Sequence, residues 1–243
     1  MKTYGLIGKS LSHSFSKNYF TEKFDDLGLT DSEYINIEIE TIEEFVEKVK
    51  ELNPQGLNVT IPYKKAVLPL LDDLDEVAKE IGAVNTIVFK NGKLKGHNTD
   101  AFGFHQSIKP FFKSHHERAL ILGTGGASKA VEYVLKQYGV DVMFASRNDS
   151  KDNVLNWNDI NENAIKHHLL IINCTPLGMF PNIASKPVIP YSAFTERHLL
   201  VDLVYNPDET LFLKLGKENG AKVINGLTML QQQAEKSWRL WND

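Results

Sequence analysis

The run Leu120-Ile121-Leu122-Gly123-Thr124-Gly125-Gly126-Ala127-Ser128 constrains this chain more than any other stretch. A short apolar strand runs straight into a glycine cluster, and residues 128–138 continue with a helical period. The first glycine permits a tight turn, the second lets the backbone approach a pyrophosphate, and a small third residue, Ser128, lets helix and strand pack closely. The N–H groups at the start of such a helix suit phosphate oxygens. An ordinary strand-to-helix turn can also carry three glycines, so the context decides. Here a strand precedes, a helix follows, and a second strand comes at 140–145. That second strand ends in Ser146-Arg147, with no acid to hold a ribose 2′-hydroxyl. The guanidinium fork of Arg147 fits a 2′-phosphate, and Lys151 adds charge, so the pattern points to NADP.

The rest of the chain alternates in the same way. Residues 4–8, 34–39, 56–61, 84–89 and 93–96 read as strands, the last two joined through Asn91-Gly92 as a hairpin. Residues 17–27, 41–52 and 76–81 read as helices, with Thr41 as the cap of the second and Glu44 completing a capping box. Downstream, 119–122, 169–173, 199–203 and 222–224 read as strands and 229–241 as a helix. Strands alternating with helices predict an α/β fold with parallel sheets covered on both faces. The pattern restarts near residue 101, and residues 107–118, with Pro110 and several charges, read as a connector with some helix.

A formal charge of −4 leaves no basic surface to track a phosphate backbone, which argues against nucleic acid as a partner. Cys174 is the single cysteine, so no intrachain disulfide forms, which suits a reducing compartment. The N-terminal residues lack the apolar core and cleavage site of a signal peptide, and the longest apolar runs are too short to cross a bilayer. The cytoplasm is therefore the expected location, with no membrane partner.

Polar residues gather in three places in the first half: Ser12-His13-Ser14-Phe15-Ser16, Asn58 through Lys64, and Asn85-Thr86 with Asn98-Thr99-Asp100. Each is expected at or beyond the carboxyl end of a strand, where ligands bind in open α/β sheets. Together they offer hydroxyls, amides, a lysine and an aspartate, which suits a small polyhydroxylated carboxylate. Each alone also reads as a turn residue or a helix cap, Asp100 included.

At these residues the chain resembles the shikimate dehydrogenase family. The family's Gly-x-x-x-x-His-Ser-x-Ser opening is similar to residues 8–16, and its Asn-Val-Thr-x-Pro-x-Lys to residues 58–64. Gly-Ala-x-Asn-Thr is matched at 82–86, Gly-x-Asn-Thr-Asp at 96–100, and Gly-x-Gly-Gly-Ala at 123–127. Asn-x-Thr-x-x-Gly-Met is matched at 173–179, Tyr-Asn-Pro-x-x-Thr at 205–210, and Gly-x-x-Met-Leu-x-x-Gln at 226–233. The chain departs from the family at Lys9-Ser10, Thr21 and Lys17, which alters the stiffness of the serine loop more than its donors.

The resemblance implies two domains with a cleft between them. Residues 1–101 with a C-terminal helix at 227–243 would form an α/β substrate domain with a mainly parallel sheet, and residues 102–226 a Rossmann-type NADP-binding domain. It implies an NADP-dependent oxidoreductase that interconverts 3-dehydroshikimate and shikimate; the apolar faces leave both monomer and homodimer open. Lys64 and Asp100 would be the catalytic pair; Ser14, Ser16 and Tyr205 would bind the substrate carboxylate; Thr60, Asn85 and Gln233 would bind its hydroxyls. Gly123, Thr124, Gly125, Gly126, Ala127, Ser146, Arg147, Lys151 and Thr175 would hold NADP, with Gly226 and Met229 near the nicotinamide.

No metal is implied, because the adjacent pairs His115-His116 and His167-His168 lack zinc-type spacing. Cys174 reads as a packing residue and His13 as a hydrogen-bonder within the serine loop. Three alternatives remain open: a quinate/shikimate dehydrogenase of broader cofactor use, a folate-linked dehydrogenase, and a non-catalytic sensor of NADP or a shikimate-like acid.

Overall fold

The structure is a computed structural model and describes residues 1–12, 14–147 and 153–243. Lys151 and His13 lie outside the described residues. The chain divides into two compact units, Met1–Thr99 with Gln233–Asp243, and Asp100–Gln232.

The first unit contains β1 (Lys2–Gly8), α1 (Phe15–Asp26), β2 (Ser32–Glu38), α2 (Glu44–Leu52), β3 (Gly56–Val59) and α3 (Tyr63–Ala66). It continues through β4 (Asp73–Leu74), α4 (Glu76–Ile81), β5 (Thr86–Lys90) and β6 (Lys93–His97). Its sheet runs β2-β1-β3-β5-β6-β4. Strands β2, β1 and β3 are mutually parallel, whereas β5 runs antiparallel to both β3 and β6. This corrects one expectation. Asn85-Thr86 sits at the amino end of β5, not at a carboxyl end, and the reversed strand direction still brings it to the edge where β3 ends, with Asn58 opposite Thr86 and Thr86 opposite His97.

Two apolar layers cover this sheet. Ile7, Ile37, Phe45, Leu57, Val59 and Val84 form one with α2 and α3. Tyr4, Phe20, Phe24, Tyr34 and Ala234 form the other, with Trp238 and Trp241 packed against them. The last part of α9 (Leu227–Asn242) thereby belongs to the N-terminal sheet, and the Trp241 indole donates to the Ile87 carbonyl at 3.1 Å. Thr41 does not cap α2 as expected. Its hydroxyl serves the Glu43 carboxylate, while Glu44 accepts from the Thr41 N–H at 2.9 Å, so one arm of the capping box forms and the helix begins three residues later.

The second unit begins in α5 (Thr99–Ile108), whose last two residues fall in the expected connector at 107–118, with Ile108 fully buried. There follow β7 (Arg118–Leu122), α6 (Gly126–Gln137), β8 (Asp141–Ser146), β9 (Val154–Asn156) and α7 (Glu162–His167). The remainder is β10 (Leu170–Asn173), β11 (Leu199–Asp202), α8 (Leu211–Glu218) and β12 (Lys222–Ile224). The sheet runs β12-β11-β10-β7-β8-β9, and every pairing is parallel. Renumbered from β7, that is the doubly wound order of a dinucleotide-binding fold, with its switch point between β7 and β10. The central strands carry unbroken apolar runs such as Ala119, Leu120, Ile121 and Leu122, all fully buried, because helices cover both faces.

Candidate active site

In the first unit the polar residues converge on one edge of the sheet. Gly8 ends β1, and a Cβ there would meet Leu11 Cδ2 and Thr60 Cγ2 at 2.7 Å, so the opening glycine of the serine loop is set by the close approach of the loop after β3. Thr60 is tied there by its N–H to the Ile7 carbonyl at 2.9 Å. Ser14 is the N-cap of α1, accepting from the Lys17 N–H at 3.3 Å, which leaves its own proton for another acceptor. Ser16 lies in the first turn of that helix and hydrogen-bonds the Tyr34 hydroxyl; burial, the larger influence, raises Tyr34 far above the usual tyrosine range.

Asn85 is buried, and its Oδ1 accepts the Thr99 N–H at 2.7 Å. Its Nδ2 lies 3.0 Å from Thr99 Oγ1 and 3.4 Å from Gln233 Oε1. Two of the expected hydroxyl-binding residues, 148 positions apart in sequence, are thus brought together by the return of α9. Lys64 sits half-buried in α3, and its backbone carbonyl accepts from the Val84 N–H at 2.8 Å, which fixes the short helix to the segment that leads into β5.

In the second unit, the glycine loop sits at the switch point. Gly123 has φ 101°, a left-handed value that glycine adopts without strain, and a Cβ there would come within 2.9 Å of Thr175 Cγ2. Cβ atoms at Gly125 and Gly126 would meet nothing within 4 Å, so the loop faces open space at the mouth of α6. Ser128 is fully buried, with its hydroxyl on the Gly125 carbonyl at 2.6 Å. A cavity of about 530 Å³ opens here, lined by Gly123, Thr124, Gly125, Arg147 and Thr175 among the expected residues. The size suits a dinucleotide fragment, and the open loop with a cation beside it fits a phosphate-bearing ligand.

Gly126, Ala127, Ser146, Gly226 and Met229 are not among the residues lining this cavity. Gly226 is buried, and any Cβ there would run into the Leu203 carbonyl. Trp157, Cys174 and Lys186 also line the cavity; Trp157 and Lys186 lie outside every motif, and Cys174 occupies a variable position of the element at 173–179. Cys174 stays a thiol, because burial and then the nearby Asp202 carboxylate push its pKa upward. Asp100 is buried in the first turn of α5, and Tyr205 is half-buried after β11, its hydroxyl pushed up by burial. Among the described residues no group of three or more His, Cys, Asp or Glu side chains is placed to hold a metal ion.

A family model described as the shikimate dehydrogenase substrate binding domain matches residues 6–87. The shikimate dehydrogenase (NADP(+)) of Halothermothrix orenii is 40% identical over 98% of this chain and 89% of that protein. The chain belongs to the shikimate dehydrogenase family. Among solved structures of the family, the Thermus thermophilus shikimate 5-dehydrogenase in complex with NADP(H) and shikimate has a TM-score of 0.86 at 32% identity, covering 99% of this chain and 93% of its own. The quinate dehydrogenase of Corynebacterium glutamicum in complex with NAD has a TM-score of 0.88 at 30% identity, covering 99% and 93%. Membership gives the all-parallel second sheet its meaning within the family, as the Rossmann-type unit of a shikimate dehydrogenase, and the mixed sheet as the unit that carries the substrate-domain match.

Proposed function

We propose that this protein is an NADP-dependent shikimate dehydrogenase, reversibly reducing 3-dehydroshikimate to shikimate. The full-length similarity to named shikimate dehydrogenases supports the reaction. One observation carries the choice of cofactor: β8 ends in Ser146-Arg147 where an NAD-binding fold places an acid, and Arg147 lines the cavity at the switch point. Bound NADPH supplies the hydride. Gly123, Thr124, Gly125, Gly126, Ala127 and Thr175 would hold its phosphates and ribose, Ser146, Arg147 and Lys151 its 2′-phosphate end, and Gly226 and Met229 its nicotinamide end.

The remaining work falls to side chains. The ketone oxygen gains negative charge as it is reduced, and the Lys64 ammonium would meet that oxygen and give up a proton to it, an interaction strongest in the transition state. Asp100 would accept from a ring hydroxyl beside the reacting carbon. Ser14, Ser16 and Tyr205 would donate to the substrate carboxylate, and Thr60, Asn85 and Gln233 would fix the ring by its hydroxyls. Residues 1–101 with 227–243 would then act as the substrate domain and residues 102–226 as the NADP domain. The single cysteine and the composition support a cytoplasmic location.

A second reading, a quinate/shikimate dehydrogenase of broader cofactor use, is favoured by the similarity to the quinate dehydrogenase. Absorbance at the nicotinamide band tests both. Growth with shikimate and NADP, and much weaker growth with quinate or NAD, is the expected outcome. Comparable growth with quinate and NAD supports the second reading. No growth with any pair overturns both.

A further inference from the structure

Behind Asn85 and Gln233 lies a continuous run of buried hydrogen bonds through Tyr34, Asn58, Thr86, Ser237 and Thr99, none of which has a part in the reaction as proposed above. The Tyr34 hydroxyl donates to Asn58 Oδ1 at 2.8 Å. The Asn85 backbone carbonyl, which can only accept, lies 3.2 Å from Asn58 Nδ2 and fixes which end of that amide is which; Nδ2 also faces Ser237 Oγ at 3.0 Å and Thr86 Oγ1 at 3.1 Å. The hydroxyls of Thr86, Ser237 and Thr99 stand in a triangle with edges of 2.8, 3.2 and 3.2 Å.

Asn58 Nδ2 has two protons for three acceptors, the Asn85 carbonyl, Thr86 Oγ1 and Ser237 Oγ, and a hydroxyl that receives one passes its own proton onward. Ser237 Oγ donates to the backbone carbonyl of Gln233 at 3.0 Å, Thr99 Oγ1 lies 3.4 Å from the side-chain oxygen Gln233 Oε1, and Thr86 Oγ1 is 3.3 Å from Asn85 Oδ1. The Thr99 N–H reaches the same Asn85 oxygen. With donors gathered at Oδ1, Nδ2 is the end that Asn85 turns toward Gln233 Oε1. Every member of the run is at most 8% exposed.

A side-chain amide without anchors can turn over and exchange its donor for its acceptor, and a ligand hydroxyl then meets the wrong partner. A buried network with each donor matched leaves one orientation. We infer that Tyr34, Thr86 and Ser237 are positioning residues that set the donor and acceptor ends of Asn85 and Gln233, and through them the recognition of the substrate's ring hydroxyls. This rests on the reading of Asn85 and Gln233 as hydroxyl-binding residues. The five elements involved, β2, β3, β5, α5 and α9, meet at this run, so recognition depends on the seating of α9 as well as on the sheet.

The test compares wild-type protein with Tyr34→Phe, Thr86→Val and Thr86→Ser. Phenylalanine and valine keep the shape and remove the hydroxyl, and serine keeps the hydroxyl. Calorimetric Kd, and kcat and KM with NADP, are measured for shikimate and for its analogue lacking a single ring hydroxyl. Tyr34→Phe and Thr86→Val are expected to narrow the preference for shikimate by about tenfold, the scale of one misdirected hydrogen bond. Affinity for NADP should stay unchanged, and Thr86→Ser should retain the preference. Equal weakening of both ligands in Tyr34→Phe and Thr86→Val, or a loss of thermal stability with the preference intact, would overturn the inference and leave the network a packing feature. Wild-type protein with no preference for shikimate over the analogue would overturn the roles of Asn85 and Gln233 first, and this inference with them.

Discussion

The hydroxyl of Thr210 donates to Asp202 Oδ2 at 2.6 Å, joining the end of β11 to the first turn of α8. The same hydroxyl caps α8 by accepting from the Leu213 N–H. Asp202 Oδ1 accepts from Asn173 Nδ2 at 2.9 Å and from the Val204 N–H at 3.0 Å. Asn173 and Thr210, which belong to two of the family-like motifs, therefore both serve one buried carboxylate, whose charge is felt by Cys174 in the lining of the cavity.

Burial, outweighing those hydrogen bonds, raises the Asp202 pKa from the usual 3.8 to about 6. The folded protein thus holds this proton more tightly than the unfolded chain. The stability that Asp202 contributes is complete below about pH 4 and is lost as pH rises through about 6. The loss is on the order of 2–3 kcal/mol. Asp202→Asn removes the titration, so denaturation midpoints across pH 4 to 7 should fall less steeply in the variant than in the wild type. Parallel slopes would show that Asp202 ionises normally.

Lys64→Ala is expected to lower kcat by about 10²–10⁴ while KM for shikimate changes modestly, because its proton and charge matter most as the ketone oxygen becomes negative. Steady-state kinetics check this, and an unchanged kcat would remove Lys64 from the chemistry.

Gly125 has an ordinary φ of −73° and a Cβ there meets nothing within 4 Å. Gly125→Val should leave the thermal midpoint close to wild type yet raise Kd for NADP by at least about tenfold, since the branched side chain fills space left for the phosphates. Binding that survives the substitution would place the cofactor elsewhere.

Arg147→Ala should lower kcat/KM for NADP by about 10- to 100-fold with little effect on NAD, the signature of a charge-assisted contact to the 2′-phosphate. Lys186, which lines the same cavity, should show a smaller effect of the same kind when replaced by alanine. Equal losses with both dinucleotides would assign these cations to other parts of the cofactor.

Much of the fold was legible because its signals are local. The strand-glycine-helix run at 119–138 needs only neighbouring residues to specify a tight turn and an open helix start, and both appear in the structure. The hairpin through Asn91-Gly92 is equally local, with Asn91 and Gly92 both at positive φ. Helix α8 does not stand out in the sequence, although Thr210 gives a cap and Phe212, Leu213 and Gly216 a buried face, because Leu211, Leu213 and Leu215 recur with the period of a strand.

The sequence by itself determined the order of elements, the glycine loop with its neighbouring cation, and the residue types available for a polyhydroxylated acid. Only the tertiary structure decided that β5 pairs antiparallel with β3, which carries Asn85 and Thr86 to the same edge as Thr60 despite their place at a strand's beginning. It alone decided that Gln233 and Ser237 meet Asn85, Asn58 and Thr86. It also brought Trp157 and Lys186 to the cavity. The physical reason is common to all of these. Strand pairing and helix docking are settled by burial of apolar area summed over residues far apart in the chain, and no short window of sequence contains that sum.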